Sequence, residues 1–110
     1  MTHILYMRFV ETSVFTKQVT QLLPDSSYRI LQSDIMNKPD TGAVIKGSGG
    51  LRKIRWALPG YGKRGSLRII YYFDRPDTIY MIFMYKKNDQ SDLTPEQLKI
   101  LKRMVQENLL

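Results

Sequence analysis

An α+β fold is predicted for this 110-residue chain: two N-terminal helices and a C-terminal helix packed on a small, twisted, mainly antiparallel sheet. Three observations lead there. Apolar stripes at helical spacing stand only near the two ends of the chain. Between them lie short runs rich in β-branched and aromatic residues, separated by turns too short for a crossover. The length, with 43% apolar residues, supplies a single domain, residues 1–110, and no room for a second.

Ile4 to Val10, with Tyr6 and Phe9, reads as a first strand. Glu11-Thr12-Ser13 then supplies the cap of a helix whose stripe is Val14, Phe15, Gln18, Val19 and Leu22. Pro24-Asp25-Ser26 breaks that helix and starts another, with Tyr28, Leu31, Ile35 and Met36 on its buried side and Pro39 and Gly42 at its end. These two helices form a hairpin over one face of the sheet. Ala43 to Lys46 is a short strand, Gly47 to Gly50 a turn, and Leu51 to Trp56 a strand. A loop from Ala57 to Gly65 leads into Ser66 to Phe73, the strongest β signal in the chain. After the turn at Asp74 to Asp77, Thr78 to Tyr85 is apolar enough to be covered on both faces. Thr94-Pro95-Glu96-Gln97 combines a threonine cap, proline at the first helical position and glutamine at the capping-box position. The last helix runs to about Asn108 with Leu98, Leu101, Val105 and Leu109 inward.

Composition removes several kinds of chemistry. There is no cysteine, which excludes disulfides, thiolate metal sites and a cysteine nucleophile. The single histidine, His3, is too close to the start of the chain to anchor a metal cluster or a Ser–His–Asp triad. No metal or cofactor is expected. No apolar run could span a bilayer, and Met1 to Arg8 lacks the pattern of a secretory signal, so the expectation is a cytoplasmic protein with no membrane partner.

The formal charge of +7 has a location. Residues 46–73 hold Lys46, Arg52, Lys53, Arg55, Lys63, Arg64 and Arg68 without an aspartate or glutamate, and the remaining ten basic and ten acidic residues cancel. A cationic block on a neutral body suits a localised polyanion site, although lysines and arginines more often form a merely solvated face. Strand alternation places Lys53 and Arg55 on one face and Ile54 and Trp56 on the other. Arg68 shares a face with Ile70 and Tyr72 on the following strand, so if the two strands pair, three cations converge as in a phosphate site. The plainer reading is a charged edge that discourages aggregation. In the loop, Tyr61 with Lys63 and Arg64 combines glycine flexibility, charge and a ring able to stack on a base. Trp56 reads as core, the methionines as core filler, and Asp89 and Asp92 as loop acids without a partner.

Leu51-Arg52-Lys53-Ile54-Arg55, a basic glycine loop, Leu67-Arg68-Ile69-Ile70-Tyr71-Tyr72-Phe73 and Tyr85-Lys86-Lys87-Asn88-Asp89-Gln90-Ser91-Asp92-Leu93, in that order, resemble the RelE/ParE superfamily of bacterial toxins, and its HigB-like members above all. The resemblance covers the organisation of nearly the whole chain, with the specific motifs between residues 47 and 93. It implies a ribosome-dependent mRNA endonuclease in a bacterial cytoplasm, cutting in the A site through the RNA's own 2′-OH and leaving a 2′,3′-cyclic phosphate and a 5′-OH. By motif, the catalytic set becomes Lys53, Arg55, Arg68 and Lys87, and the RNA-binding set Lys46, Arg52, Tyr61, Lys63, Arg64, Tyr72 and Tyr85. A lysine among other cations loses its proton more readily, which makes Lys53 or Lys87 a candidate base, while arginines stay charged. The tyrosine that RelE carries near its C-terminal end has no clear counterpart; Tyr72 and Tyr85 are available but displaced. The implied partners are the ribosome, mRNA and a HigA-like or RelB-like antitoxin, whose surface could include the long last helix. A ParE-like gyrase inhibitor and a non-catalytic RNA-binding module are the alternatives.

Overall fold

The computed structural model describes residues 6–58, 66–108 and 110. In chain order its elements are β1 (Arg8–Glu11), α1 (Ser13–Leu22), α2 (Asp25–Asn37), β2 (Ala43–Val44), β3 (Arg52–Ala57), β4 (Ser66–Asp74), β5 (Thr78–Lys86) and α3 (Pro95–Gln106). The five strands stand in the order β1-β5-β4-β3-β2. From β2 to β5 each strand is antiparallel to the next, as the short connections demand, whereas β1 lies parallel to β5. This is the expected α+β architecture.

The first strand begins later than its sequence suggests. Arg8 is in register with Thr78, the first residue of β5, and its N–H donates to the Asp77 carbonyl at 2.7 Å. Upstream of that point there is only the 75–77 turn to pair with, so Tyr6 and Met7 remain outside the ladder. Ile4 and Leu5 fall outside the described residues.

The sheet divides the core into two layers. On one face Phe15, Val19, Leu23, Leu31 and Ile35 from the helical hairpin meet Leu67, Ile69, Tyr71, Ile79, Met81 and Met84. On the other, Leu51, Ile70, Ile82 and Tyr85 are covered by Leu101, with Leu98, Met104 and Val105 of α3 packed around them. Alternation along β4 therefore sends Leu67, Ile69 and Tyr71 to the hairpin and Ile70 and Tyr72 to α3, which is why the strand reads as nearly continuous apolar sequence.

Local hydrogen bonding fixes the helices on this frame. The Thr12 hydroxyl accepts from the Phe15 N–H at 3.1 Å and donates to the Ile82 carbonyl at 2.7 Å, capping α1 and tying it to β5. Gln18, a polar residue in an apolar stripe, accepts from the Met84 N–H at 2.8 Å. That N–H lies beyond Met81, the last β5 residue in register with β1. Val14 and Met36, expected to be buried, are 50% and 44% exposed. Each sits about 100° round its helix from an inward neighbour, Phe15 or Ile35, and the sheet accommodates one stripe only. At the end of α2 the Tyr71 hydroxyl accepts from the Gly42 N–H at 2.9 Å and donates to the Pro39 carbonyl at 2.8 Å. A Cβ at Gly42 would come within 2.8 Å of the Tyr71 ring, so only glycine fits there.

Candidate nucleic-acid interface

Strand register builds the site. Arg55 stands opposite Arg68 in the β3–β4 ladder, and Arg68 opposite Tyr85 in the β4–β5 ladder. Residues directly opposite in an antiparallel pair point to the same face. Arg55, Arg68 and Tyr85 thus form one row across three strands, on the face that α3 partly covers. Lys53, two residues before Arg55 and opposite Ile70, lies on the same face one step along.

The row is electrostatically unusual. Arg68 is only 5% exposed, and its guanidinium donates to the Ser66 hydroxyl at 2.9 Å. All ten aspartates and glutamates lie in the described residues, yet the ion pairs among those residues are Lys53–Asp92 and Arg103–Glu107 alone. Arg68 is therefore a buried cation with another cation, Arg55, directly across the ladder and no carboxylate. Like charges placed opposite one another weaken a sheet, and an unpaired buried charge costs more still. An incoming phosphate would relieve both penalties, and a guanidinium fixed by its neighbours requires little reordering to hold it.

The loop after β5 brings an acid to this cationic surface. The sequence alone offers Asp92 no partner, but here a single carboxylate oxygen accepts from the Leu93 N–H at 2.9 Å, the Tyr85 hydroxyl at 3.4 Å and the Lys53 ammonium at 3.5 Å. A hydrogen-bonded frame holds the loop. Gln90 donates to the Asp92 carbonyl and to the Gln97 side chain, each at 2.8 Å, and Gln97 closes the capping box with Thr94 at the start of α3. The Leu93 N–H, followed by the Lys53 charge, keeps the Asp92 carboxyl below its ordinary range. Tyr85 moves the other way. Burial, then the nearby Asp92 charge, push its hydroxyl up to about 12 against the opposing pull of Arg68. Tyr85 is a protonated donor at neutral pH. Asp92 stands in a segment that carries the family resemblance, but its contact with Lys53 is a pairing across 39 residues that no local pattern reveals.

The remaining sequence-derived residues are dispersed. Lys46 is exposed and lines, with Lys53, Asp92, Val44, Ile45 and Leu98, an open cleft of about 380 Å³ between β2 and the start of α3. Arg52 points to the opposite face, where its guanidinium donates to the carbonyls of Asp40 at 3.1 Å and Gly42 at 2.8 Å. Tyr72 packs in the α3 layer, with Gly50 against its ring. Lys87 is exposed just beyond β5, its N–H bonded to the Ser66 carbonyl. Tyr61, Lys63 and Arg64 lie outside the described residues. Trp56 packs against the hairpin layer and donates to the Ser27 hydroxyl at 3.1 Å. Among the described residues no helix is long and apolar enough to cross a membrane.

With this geometry in place, the chain can be set beside known families. Residues 7–109 match the model of the family described as the RelE toxin of the RelE/RelB toxin–antitoxin system. The match takes in every strand and helix of the fold and every residue of the row.

Proposed function

We propose, on the premise that this chain belongs to the RelE toxin family, that it is an endoribonuclease that cuts mRNA in the A site of translating ribosomes. The observation that supports this most strongly is the row Arg55–Arg68–Tyr85, with its buried, acid-free guanidinium. Cleavage needs no outside nucleophile. The 2′-OH of the RNA attacks the adjacent phosphorus, its proton passes to water, Lys53 and Lys87 add positive charge beside the phosphate, and the bond from phosphorus to the 5′ oxygen breaks. A 2′,3′-cyclic phosphate and a 5′-OH result. Arg55 and Arg68 hold the charge that builds on the phosphorane oxygens, and the protonated Tyr85 gives its proton to the departing 5′ oxygen. The ribosome supplies the alignment that an open, shallow surface lacks.

A HigA-like or RelB-like antitoxin restrains the toxin in the bacterial cytoplasm on this reading. Primer extension on mRNA from cells after brief induction is the test. New 5′ ends within translated frames are expected, and Arg68→Ala should reduce cleavage on the order of a hundred- to a thousandfold while far-UV circular dichroism stays unchanged. Intact mRNA in growth-arrested cells, together with loss of gyrase supercoiling, would replace the nuclease with a ParE-like inhibitor. Intact mRNA with normal growth would leave an RNA-binding module.

A further inference from the structure

We propose that Asp92 is a positioning residue of the RNA-cleaving site, one that weakens RNA binding and in exchange holds Lys53 and Tyr85 in place for turnover. The proposal rests on the nuclease reading for its turnover half and on the Lys53–Asp92 contact for its binding half. The geometry behind it is specific. One oxygen of Asp92 accepts from both the Lys53 ammonium and the Tyr85 hydroxyl, side chains that arrive from β3 and β5. The Gln90–Gln97–Thr94 frame holds the loop that carries it, so the carboxylate is delivered by structure rather than by a wandering side chain. No other carboxylate forms an ion pair with Lys53, Arg55 or Arg68 among the described residues.

Two consequences of opposite sign follow. A phosphate approaching Lys53 meets an ammonium already engaged by an anion, so backbone binding is weaker than the cation count suggests. Until the bond breaks, the same carboxylate accepts the one proton of Tyr85 and keeps the phenol oriented in the row beside Arg68; as the 5′ oxygen departs, that proton turns to it. An ordinary structural ion pair would not divide its effects in this way.

The test compares the purified parent chain with Asp92→Asn, Asp92→Glu, Lys53→Ala and the Asp92→Asn/Lys53→Ala double variant. Affinity is read by fluorescence anisotropy with a single-stranded oligoribonucleotide over a salt series, and turnover by cleavage of ribosome-bound mRNA. Asp92→Asn is expected to bind roughly two- to fivefold more tightly. Its salt slope should steepen by about 0.7, the value of one freed cation on a single strand. Both gains should disappear in the Lys53→Ala background, and Asp92→Glu should restore parent affinity. Turnover on saturated ribosomes should fall roughly ten- to a hundredfold in Asp92→Asn. Unchanged affinity and turnover in Asp92→Asn, or a tighter binding that survives Lys53→Ala, would overturn the proposal while leaving the nuclease reading intact. Altered RNA binding with no cleavage by any form, the parent included, would support the contact with Lys53 and remove both the turnover role and the nuclease reading. Absence of RNA binding by every form at low salt would overturn both.

Discussion

Arg68 holds a guanidinium where β4 and its neighbours offer a hydroxyl at 2.9 Å and no carboxylate. Its replacement should therefore separate stability from function. Arg68→Met keeps an unbranched stem in the same space and removes a buried charge that faces Arg55. It is expected to stabilise the fold by about 1 kcal/mol, because apolar replacement of buried charge is often favourable. Thermal denaturation should show a rise of roughly 5 °C, with cleavage lost. A fall in melting temperature would mean that Arg68 is structural. Much of this was legible beforehand: alternation and a short connection are enough to bring Lys53, Arg55 and Arg68 to one face. The fate of Arg52 was not, since its two carbonyl partners belong to a turn that Tyr71 shapes from another strand. Asp92 was hidden for the same reason.

At the scale of elements, caps and ties can be weakened one at a time. Thr94 accepts from the Gln97 N–H at 3.1 Å, and Thr94→Ala should cost about 1 kcal/mol through the start of α3. Because the same cap frames the Asp92 loop, the variant should also lose turnover at a temperature where it remains folded. Gly42→Ala forces a methyl against the Tyr71 ring and should cost about 1–3 kcal/mol in chemical denaturation. Tyrosines tie elements together elsewhere. The Tyr28 hydroxyl donates to Glu11 at 2.6 Å, joining α2 to β1, and burial together with that carboxylate raises its proton affinity. Tyr85 is raised by burial and Asp92. Both phenols keep their protons in the fold beyond the ordinary value of 10.0, whereas the unfolded chain releases them there. Their stabilisation is complete below that value and is lost as pH rises above it. A circular dichroism titration should show stability declining from about pH 10 upward, less steeply in Tyr28→Phe. A flat response through pH 12 would contradict the shift.

Over the whole molecule, charge and topology set behaviour. The excess of +7 falls within residues 46–73, and the strands put part of it on one surface. Contact with about five phosphates should make affinity for single-stranded RNA fall on the order of a hundredfold between 50 and 200 mM salt. A dependence weaker than tenfold would imply that few cations take part. The alternation of β signals and two helical ends gave away the architecture, but the parallel pairing of β1 with β5 did not show itself, because nothing in a four-residue strand names its neighbour. That pairing has a consequence in time. The first strand made waits for the last, and the row closes only when Tyr85 and then Asp92 have been synthesised. α3, which covers the second layer of the core, follows later still. A nascent chain thus carries its arginines for most of its synthesis without the strand that completes their setting. A protein proposed to attack ribosomes is, by the order of its own strands, unarmed while it is still being made on one.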